Sequence, residues 1–281
     1  MSKIAVIGIA GESVFLSVDS FGKTGETVRA TDYHNELGGK GFNQAIAVAR
    51  YGVEVSFLCA AYQGDCNRYT KALKKCGVNA YFIGKNIRSP YAVIQTDRTG
   101  ANRVCVYRGA ELDENDVIRF SEEIKSADML LLNNEVPSSV NEKAVEIAKE
   151  YGVKVLLNPA PTRKYDNEFL EKIDLFTPNE LEMDGLENYE NVIVTLGEKG
   201  CFVRKTGEVI PAVKLEKVID TTGAGDTFNG VLASCLVEGD DLETACKKAN
   251  VASGIKVTRK YILDSIPSKE EIEKFLEKKN G

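Results

Sequence analysis

The sequence holds a single histidine, His34, which excludes a histidine-rich metal centre. That residue lies in a polar stretch and reads as a surface side chain rather than as the base of a Ser-His-Asp site. The seven cysteines are odd in number, scattered, and form no C-x-x-C pair. Neither a disulfide framework nor a zinc site fits that pattern, and a reducing cytoplasm does. No segment reaches the ~18–20 apolar residues of a membrane span. The opening "MSKIAVIGIAGESVFLSV" is broken by Gly and Glu before a signal-peptide core could form, and reads as a first buried strand. Acidic residues outnumber basic ones, 42 to 36. The net charge is −6 without an extended basic cluster, which argues against nucleic acid or an anionic membrane as the main partner. Internal repeats and low-complexity tracts are absent.

What is present is an ordinary globular composition, 43% hydrophobic and 28% charged, sufficient to bury a sizeable core. Short apolar runs recur at Ile4–Ile7, Val55–Leu58, Met129–Leu132, Val155–Leu157, Ile173–Phe176 and Val192–Leu196. Several are continuous Val/Ile/Leu rather than alternating, as strands buried on both faces are. Between them lie helix-period segments. Phe42, Ala45, Ile46 and Ala49 follow i, i+3, i+4, i+7, with Gly52 where a C-terminal cap belongs. Val140, Ala144, Ile147 and Ala148 stripe a helix ending at Tyr151-Gly152, and Ser268 with Glu271 has capping-box spacing. Alternating strand and helix predicts an α/β body around a mainly parallel sheet. "VFLSVDSFGKTGETVRATDYHN" and "SPYAVIQTDRTGANRVCVYRG" break the rhythm with period-two Tyr, Val and Thr, the pattern of antiparallel hairpins in a small β appendage.

Two glycine clusters stand out. In "KVIDTTGAGDTFNGVLASCLVEG" a short apolar run precedes Thr222-Gly223-Ala224-Gly225, and Phe228, Val231, Leu232 and Cys235 follow at helical spacing. The cluster is therefore a turn into a helix N-terminus, whose unpaired N–H groups and dipole make a ready anion site. Asp226 would repel a merely bound phosphate. Beside a transferring phosphoryl it makes sense as acceptor of the attacking hydroxyl's proton. Alone it also fits an ordinary acidic residue in a helix's first turn. In "ELGGKGFNQAIAVARYG", Gly38, Gly39 and Gly41 precede an amphipathic helix, with Lys40 and Asn43 offering donors suited to hydroxyl groups. No G-x-x-x-x-G-K-[ST] occurs, and no G-x-G-x-x-G, so neither a Walker A loop nor a dinucleotide fingerprint is present.

Together, "GGKGFNQAIAVARYG" and "DTTGAGDTFNGVLA" closely resemble the two signatures of the ribokinase family of ATP-dependent sugar kinases, the phosphofructokinase B group. "LNNEVP", "LNPAP", "TPNELE", "VTLGEKG" and "IKVTRK" extend the resemblance over nearly the whole chain. It implies a ribokinase-like three-layer α/β sandwich, a single kinase domain over residues 1–281, and a β-sheet lid inserted at about 10–38 and 88–110. It implies ATP and Mg²⁺ as cofactors and transfer of the γ-phosphoryl to the primary hydroxyl of a sugar, ribose or a relative. A nucleoside or pseudouridine is the second acceptor. Asp226 would be the general base, and Gly223, Ala224 and Gly225 the anion hole. Gly39, Lys40, Asn43 and Glu135 would hold sugar hydroxyls. Asn179 and Glu182 would order Mg²⁺, while Thr195, Gly197, Gly200 and Asn250 would line the nucleotide site. Asp220, Thr222 and Ser265 would bind a monovalent cation, K⁺. The lid would close over the sugar and pair two copies into a homodimer.

Three positions depart from the resemblance. Ser13 stands where an acidic residue would clamp two sugar hydroxyls, with Glu12 beside it as a substitute. Only Met183–Asn191 separate Glu182 from the "VIVTLG" strand, so a crossover helix is shortened or missing. Tyr261 replaces a small residue and weakens the expectation of a monovalent cation. A catalytically silent sugar- or nucleotide-binding protein is the reading of a different class, and the intact Asp226 and Gly-Ala-Gly turn speak against it. A dinucleotide-dependent oxidoreductase lacks its fingerprint.

Overall fold

The computed structural model describes residues 2–280. The first half of the chain runs β1 (Lys3–Ile7), β2 (Gly11–Val18), β3 (Ala30–Gly38), α1 (Lys40–Tyr51), β4 (Glu54–Tyr62), α2 (Gln63–Lys75), β5 (Asn79–Lys85), β6 (Tyr91–Thr96) and β7 (Asn102–Tyr107). Then come α3 (Glu114–Arg119), α4 (Ser121–Lys125), β8 (Met129–Asn133), α5 (Ser138–Glu150), β9 (Lys154–Asn158), α6 (Asn167–Leu170) and β10 (Leu175–Phe176). The chain finishes with β11 (Ile193–Thr195), β12 (Cys201–Val203), β13 (Glu208–Ile210), α7 (Ala224–Glu238), α8 (Leu242–Val257) and α9 (Lys269–Asn280).

Five of the apolar runs, with β5 added at the edge, assemble a six-stranded parallel sheet in the order β10-β9-β8-β1-β4-β5, whereas the run Val192–Leu196 becomes β11 of a separate sheet. Burial on both faces explains why they do not alternate. Ile4 and Val6 join the core on one side of the sheet, with α1, α2, α7 and α8. Ala5 and Ile7 join the core on the other, with α3, α4 and α5. That arrangement is the expected three-layer sandwich. The helix ends follow the sequence signals too. Gly52 takes φ 96° at the end of α1, and Ser268 and Glu271 exchange backbone–side-chain bonds of 2.9 and 3.3 Å at the start of α9.

The two β excursions pair as antiparallel hairpins, β2 with β3 and β6 with β7. A parallel seam from Glu12↔Tyr91 to Ser17↔Thr96 joins them into one four-stranded sheet, β3-β2-β6-β7. A third, antiparallel sheet of β11, β12 and β13 docks on the main one through bridges Phe176↔Val192 and Asn179↔Thr195. Between β10 and β11 the chain forms turns and no helix.

Candidate active site

The main sheet presents the carboxyl ends of β1, β8 and β9 at one edge, the usual place for a ligand in an open α/β sheet. There Asn133 donates to Ile7 O at 3.3 Å, and Asn158 donates to Thr177 O at 2.9 Å. These bonds tie the strand ends together and leave polar atoms facing α1. Helices α1 and α7 start at the same edge. They approach closely because Gly230 lies against α1, where a Cβ would come within 2.5 Å of Ala47 Cβ and 2.6 Å of Gln44 O. The close approach brings Asn43 and Gln44 onto Asp226.

Asp226 is 6% exposed, in the first turn of α7. Its Oδ2 accepts from Asn43 Nδ2 at 2.7 Å, and its Oδ1 faces Gln44 Nε2 at 3.5 Å. Burial pushes the carboxyl above the ordinary aspartate range, while Lys40, Asn43, Gln44 and Lys256 oppose the rise. Burial also pulls the Lys40 ammonium down, but the combined attraction of Asp226, Glu135 and Glu182 holds it above its usual value. Glu135 accepts from Lys40 N at 2.7 Å, and burial raises its carboxyl to about 7. Three carboxylates, one on α7 and two in the turns after β8 and β10, thus act on one ammonium.

The glycines divide into two kinds. A Cβ on Gly39 would come within 2.5 Å of Ile9 O, and one on Gly41 within 2.7 Å of Gly8 Cα. These two are explained by packing of the turn on the end of β1. Protein backbone fills the space beside these two glycines. Gly200 is likewise enclosed, since a Cβ there would lie 2.1 Å from Ile210 O. Gly225 and Gly197 differ: among the described residues, nothing beyond the adjoining backbone comes within 4 Å of such a Cβ. Gly223 adopts φ 73°, the left-handed conformation that turns the chain into α7. The open side of the turn is therefore at Gly225, next to Asp226.

Asn179 and Glu182 form a turn rather than a helix cap. Asn179 N donates to Glu182 Oε2 at 3.0 Å, and Leu181 N donates to Asn179 Oδ1 at 2.8 Å. Thr195 N donates to Pro178 O at 2.8 Å and anchors that turn to β11. A cleft of about 190 Å³ opens beside Glu182, lined by Pro159, Thr162, Arg163, Lys164 and Tyr165 among others. Asp226 lies outside it. Asn250 spends its amide nitrogen inside the wall, on Ile210 O at 3.0 Å and Pro211 O at 3.3 Å. Asp220, Thr222 and Ser265 come together around the chain that leads into the Gly-Ala-Gly turn, where Thr222 N donates to Asp220 Oδ1 at 2.9 Å.

Several participants were not read from the sequence. Gln44 and Asn158 are buried polar side chains 3.5 Å apart beside Asp226. The signal for Gln44 was its place next to Asn43 in a helix that buries both. His34, expected at the surface, is a half-buried side chain on β3 of the four-stranded sheet and stacks on Tyr261 with ring centroids 3.4 Å apart. Glu12 faces Arg68 on α2 in an ion pair and points away from Ser13 and Asp226. The acid next to Ser13 across the hairpin is Glu36, and it accepts from Ile262 N at 2.9 Å and Leu263 N at 3.2 Å.

Known proteins resemble this chain in sequence and fold. The chain is 35% identical over 301 residues to a ribokinase of Haemophilus influenzae, covering 98% of both chains. It is 33% identical over 303 residues to a deoxyribokinase of Salmonella typhi, covering 97% of this chain and 98% of that one. Among solved structures, an Arabidopsis thaliana ribokinase complexed with ribose and ATP superposes with a TM-score of 0.84 at 28% identity. That match covers 98% of this chain and 99% of the other. The description "pfkB family carbohydrate kinase" matches residues 1–269, and with a buried carboxylate at an open glycine turn of the matching fold, the chain belongs to that family.

Proposed function

We propose that this protein transfers the γ-phosphoryl of ATP to the primary hydroxyl of a sugar, ribose or a close relative, with Asp226 as general base. The observation that carries the reading is Asp226 itself, buried among Asn43, Gln44 and the Lys40 charge yet adjacent to the open Gly225. A base with a raised pKa holds the proton of an attacking alcohol more readily than an exposed aspartate does. The N–H groups of the first turn of α7 face the migrating phosphoryl from the positive end of the helix dipole. Lys40, Asn43 and Glu135 orient the sugar, and Asn43 Oδ1 is buried without a partner, ready to accept from a hydroxyl. Gly39 shapes their turn. Thr195, Gly197 and Gly200 form the nucleotide-side loop, with Asn250 holding its wall.

The donor set suits Mg²⁺, which takes oxygen ligands and keeps several of its waters, so one carboxylate and substrate phosphates suffice. Glu182 supplies that carboxylate and Asn179 its support. When bound, the ion neutralises charge on the phosphate oxygens. The lid closes over the acceptor and excludes competing water, and its free β7 edge pairs two copies into a homodimer. Its composition suits a cytoplasmic enzyme.

Ser13 in place of an acid leaves Glu12 turned away, so recognition of a vicinal diol is reduced. This favours acceptors lacking one of those hydroxyls, such as 2-deoxyribose. The test is ADP release with ribose, 2-deoxyribose, nucleosides and pseudouridine. Pentose turnover is expected, with a kcat lower by on the order of 10²–10⁴ in Asp226→Asn and unchanged ATP binding. Turnover of nucleosides alone would move the protein to the second acceptor class. A full rate in Asp226→Asn would remove the base from the mechanism.

A further inference from the structure

All three oxygens of Asp220, the central member of the expected monovalent-cation site, already carry protein donors. Asp220 Oδ1 accepts from Thr222 N and Oδ2 from Tyr261 N, both at 2.9 Å. The Asp220 carbonyl accepts from Lys256 Nζ, also at 2.9 Å. That ammonium lies 3.9 Å from Asp220 Oδ2, and Lys256 is 0% exposed. Ser265 Oγ is 2.7 Å from Tyr261 O, a contact made within the loop. Tyr261 holds φ 63° and stacks on His34.

A lysine this deep is rare, because an unpaired charge taken out of water costs several kcal/mol. Every acidic group facing it has a reason to tolerate it. Burial drives the Lys256 ammonium below the usual lysine range, and Asp220, Glu36 and Asp226 oppose the fall. It stands in the last turn of α8, where the helix dipole favours a cation. An ammonium and a potassium ion carry the same charge at nearly the same radius, so one replaces the other against a carbonyl oxygen. The expected K⁺ therefore does not fit.

We propose that Lys256 is a tethered monovalent cation: its ammonium occupies the position against Asp220 that a K⁺ would take, and makes the protein independent of potassium. Through Asp220, which receives Thr222 N, Lys256 fixes the turn that carries Gly223–Gly225. It acts as a positioning residue and adds a fixed positive charge near the phosphoryl site.

The inference rests on the kinase reading only for its activity arm, so the test has two arms. In the first, ADP release is followed directly by chromatography, with tetramethylammonium, Na⁺ or K⁺ chloride at one ionic strength. The wild-type rate is expected to stay within about twofold across the three salts, and a larger stimulation by K⁺ overturns the proposal. Lys256→Ala is expected to lose at least about tenfold in tetramethylammonium and to recover in K⁺ or NH₄⁺, since a fixed charge has been removed. Full activity of this variant without either ion overturns the proposal, and so does a loss that neither ion restores. In the second arm, crystals are soaked in rubidium and its anomalous scattering is mapped. A peak beside Asp220 in Lys256→Ala and none in the wild type is expected. A wild-type peak there overturns the proposal whether or not any sugar is phosphorylated. Should Lys256→Ala fail to fold, the wild-type salt series and rubidium map decide. A protein that phosphorylates no acceptor and binds no rubidium would sink the proposed function and leave this inference standing.

Discussion

Charge balance around Lys40 is the residue-scale property on which the proposed chemistry turns. A general base must be ionised to take a proton, so kcat falls as pH drops through its folded pKa. Burial raises that pKa in Asp226 and the Lys40 ammonium restrains the rise. Removing the cation while keeping the apolar stem, in Lys40→Met, therefore moves the acid limb of kcat to higher pH. The shift should be about one unit or more, the effect of a neighbouring unit charge. The measurement is kcat against pH at saturating sugar, and a limb that stays in place would separate Lys40 from Asp226. At this scale the sequence was partly legible. Asp226, Lys40 and Glu135 belong to quoted motifs, and the structure brings the three together. Lys256 was not legible, because a lysine in "IKVTRK" reads as a stem lying along the surface with its head in water. Only the tertiary contact with the Asp220 carbonyl reveals otherwise.

Between elements, the determining feature is how closely helix α7 can lie against helix α1. Gly230 and Gly225 belong to the same signature, and the structure gives them opposite duties. Gly230→Ala puts a methyl 2.5 Å from Ala47 Cβ, so α1 and α7 must part. Overpacking of this kind costs about 1–3 kcal/mol, and it also carries Asn43 and Gln44 off Asp226, so stability and kcat fall together. Gly225→Ala meets nothing beyond the adjoining backbone within 4 Å and replaces Gly in a helix. Its stability should hold or rise by up to about 1 kcal/mol, while activity drops because the methyl fills the space open to the phosphoryl group. Denaturant midpoints set beside kcat check the pair. A stable and fully active Gly225→Ala would show that nothing approaches that turn. The strands of the main sheet were legible where both faces are buried, as at Ile4–Ile7 and Met129–Leu132. Strand β5 escaped notice because it forms the sheet edge, where "NAYFIGK" is only half-buried and its short apolar run Ala80–Ile83 lacks the clean alternation of a half-buried strand. The parallel seam between β2 and β6 was hidden for another reason: pairing across such a sequence distance leaves no local pattern.

For the whole molecule, the open question is what covers the lid. Register places Phe15, Ile94 and Val104 in one cross-strand row, and Ala92 and Val106 in the next, all on the face shared with Ser13 and Glu36. Val104 is 55% and Val106 56% exposed, on a strand whose outer edge has no partner. An apolar row on an unpaired edge invites association, and the antiparallel partner most readily available is the same strand of a second copy. Val104→Asp with Val106→Asp places one carboxylate in each of the two rows. The exposed positions leave stability within about 0.5 kcal/mol, as surface substitutions usually do. Sedimentation velocity should find the wild type as a dimer and the double variant as a monomer. The sugar KM should rise because the lid loses its support, while the KM for ATP should change little. A wild type that sediments as a monomer at micromolar concentration would refute the pairing. The exposed valines would then belong to the closing face of the lid alone, and the same double variant would still raise the sugar KM without altering the mass.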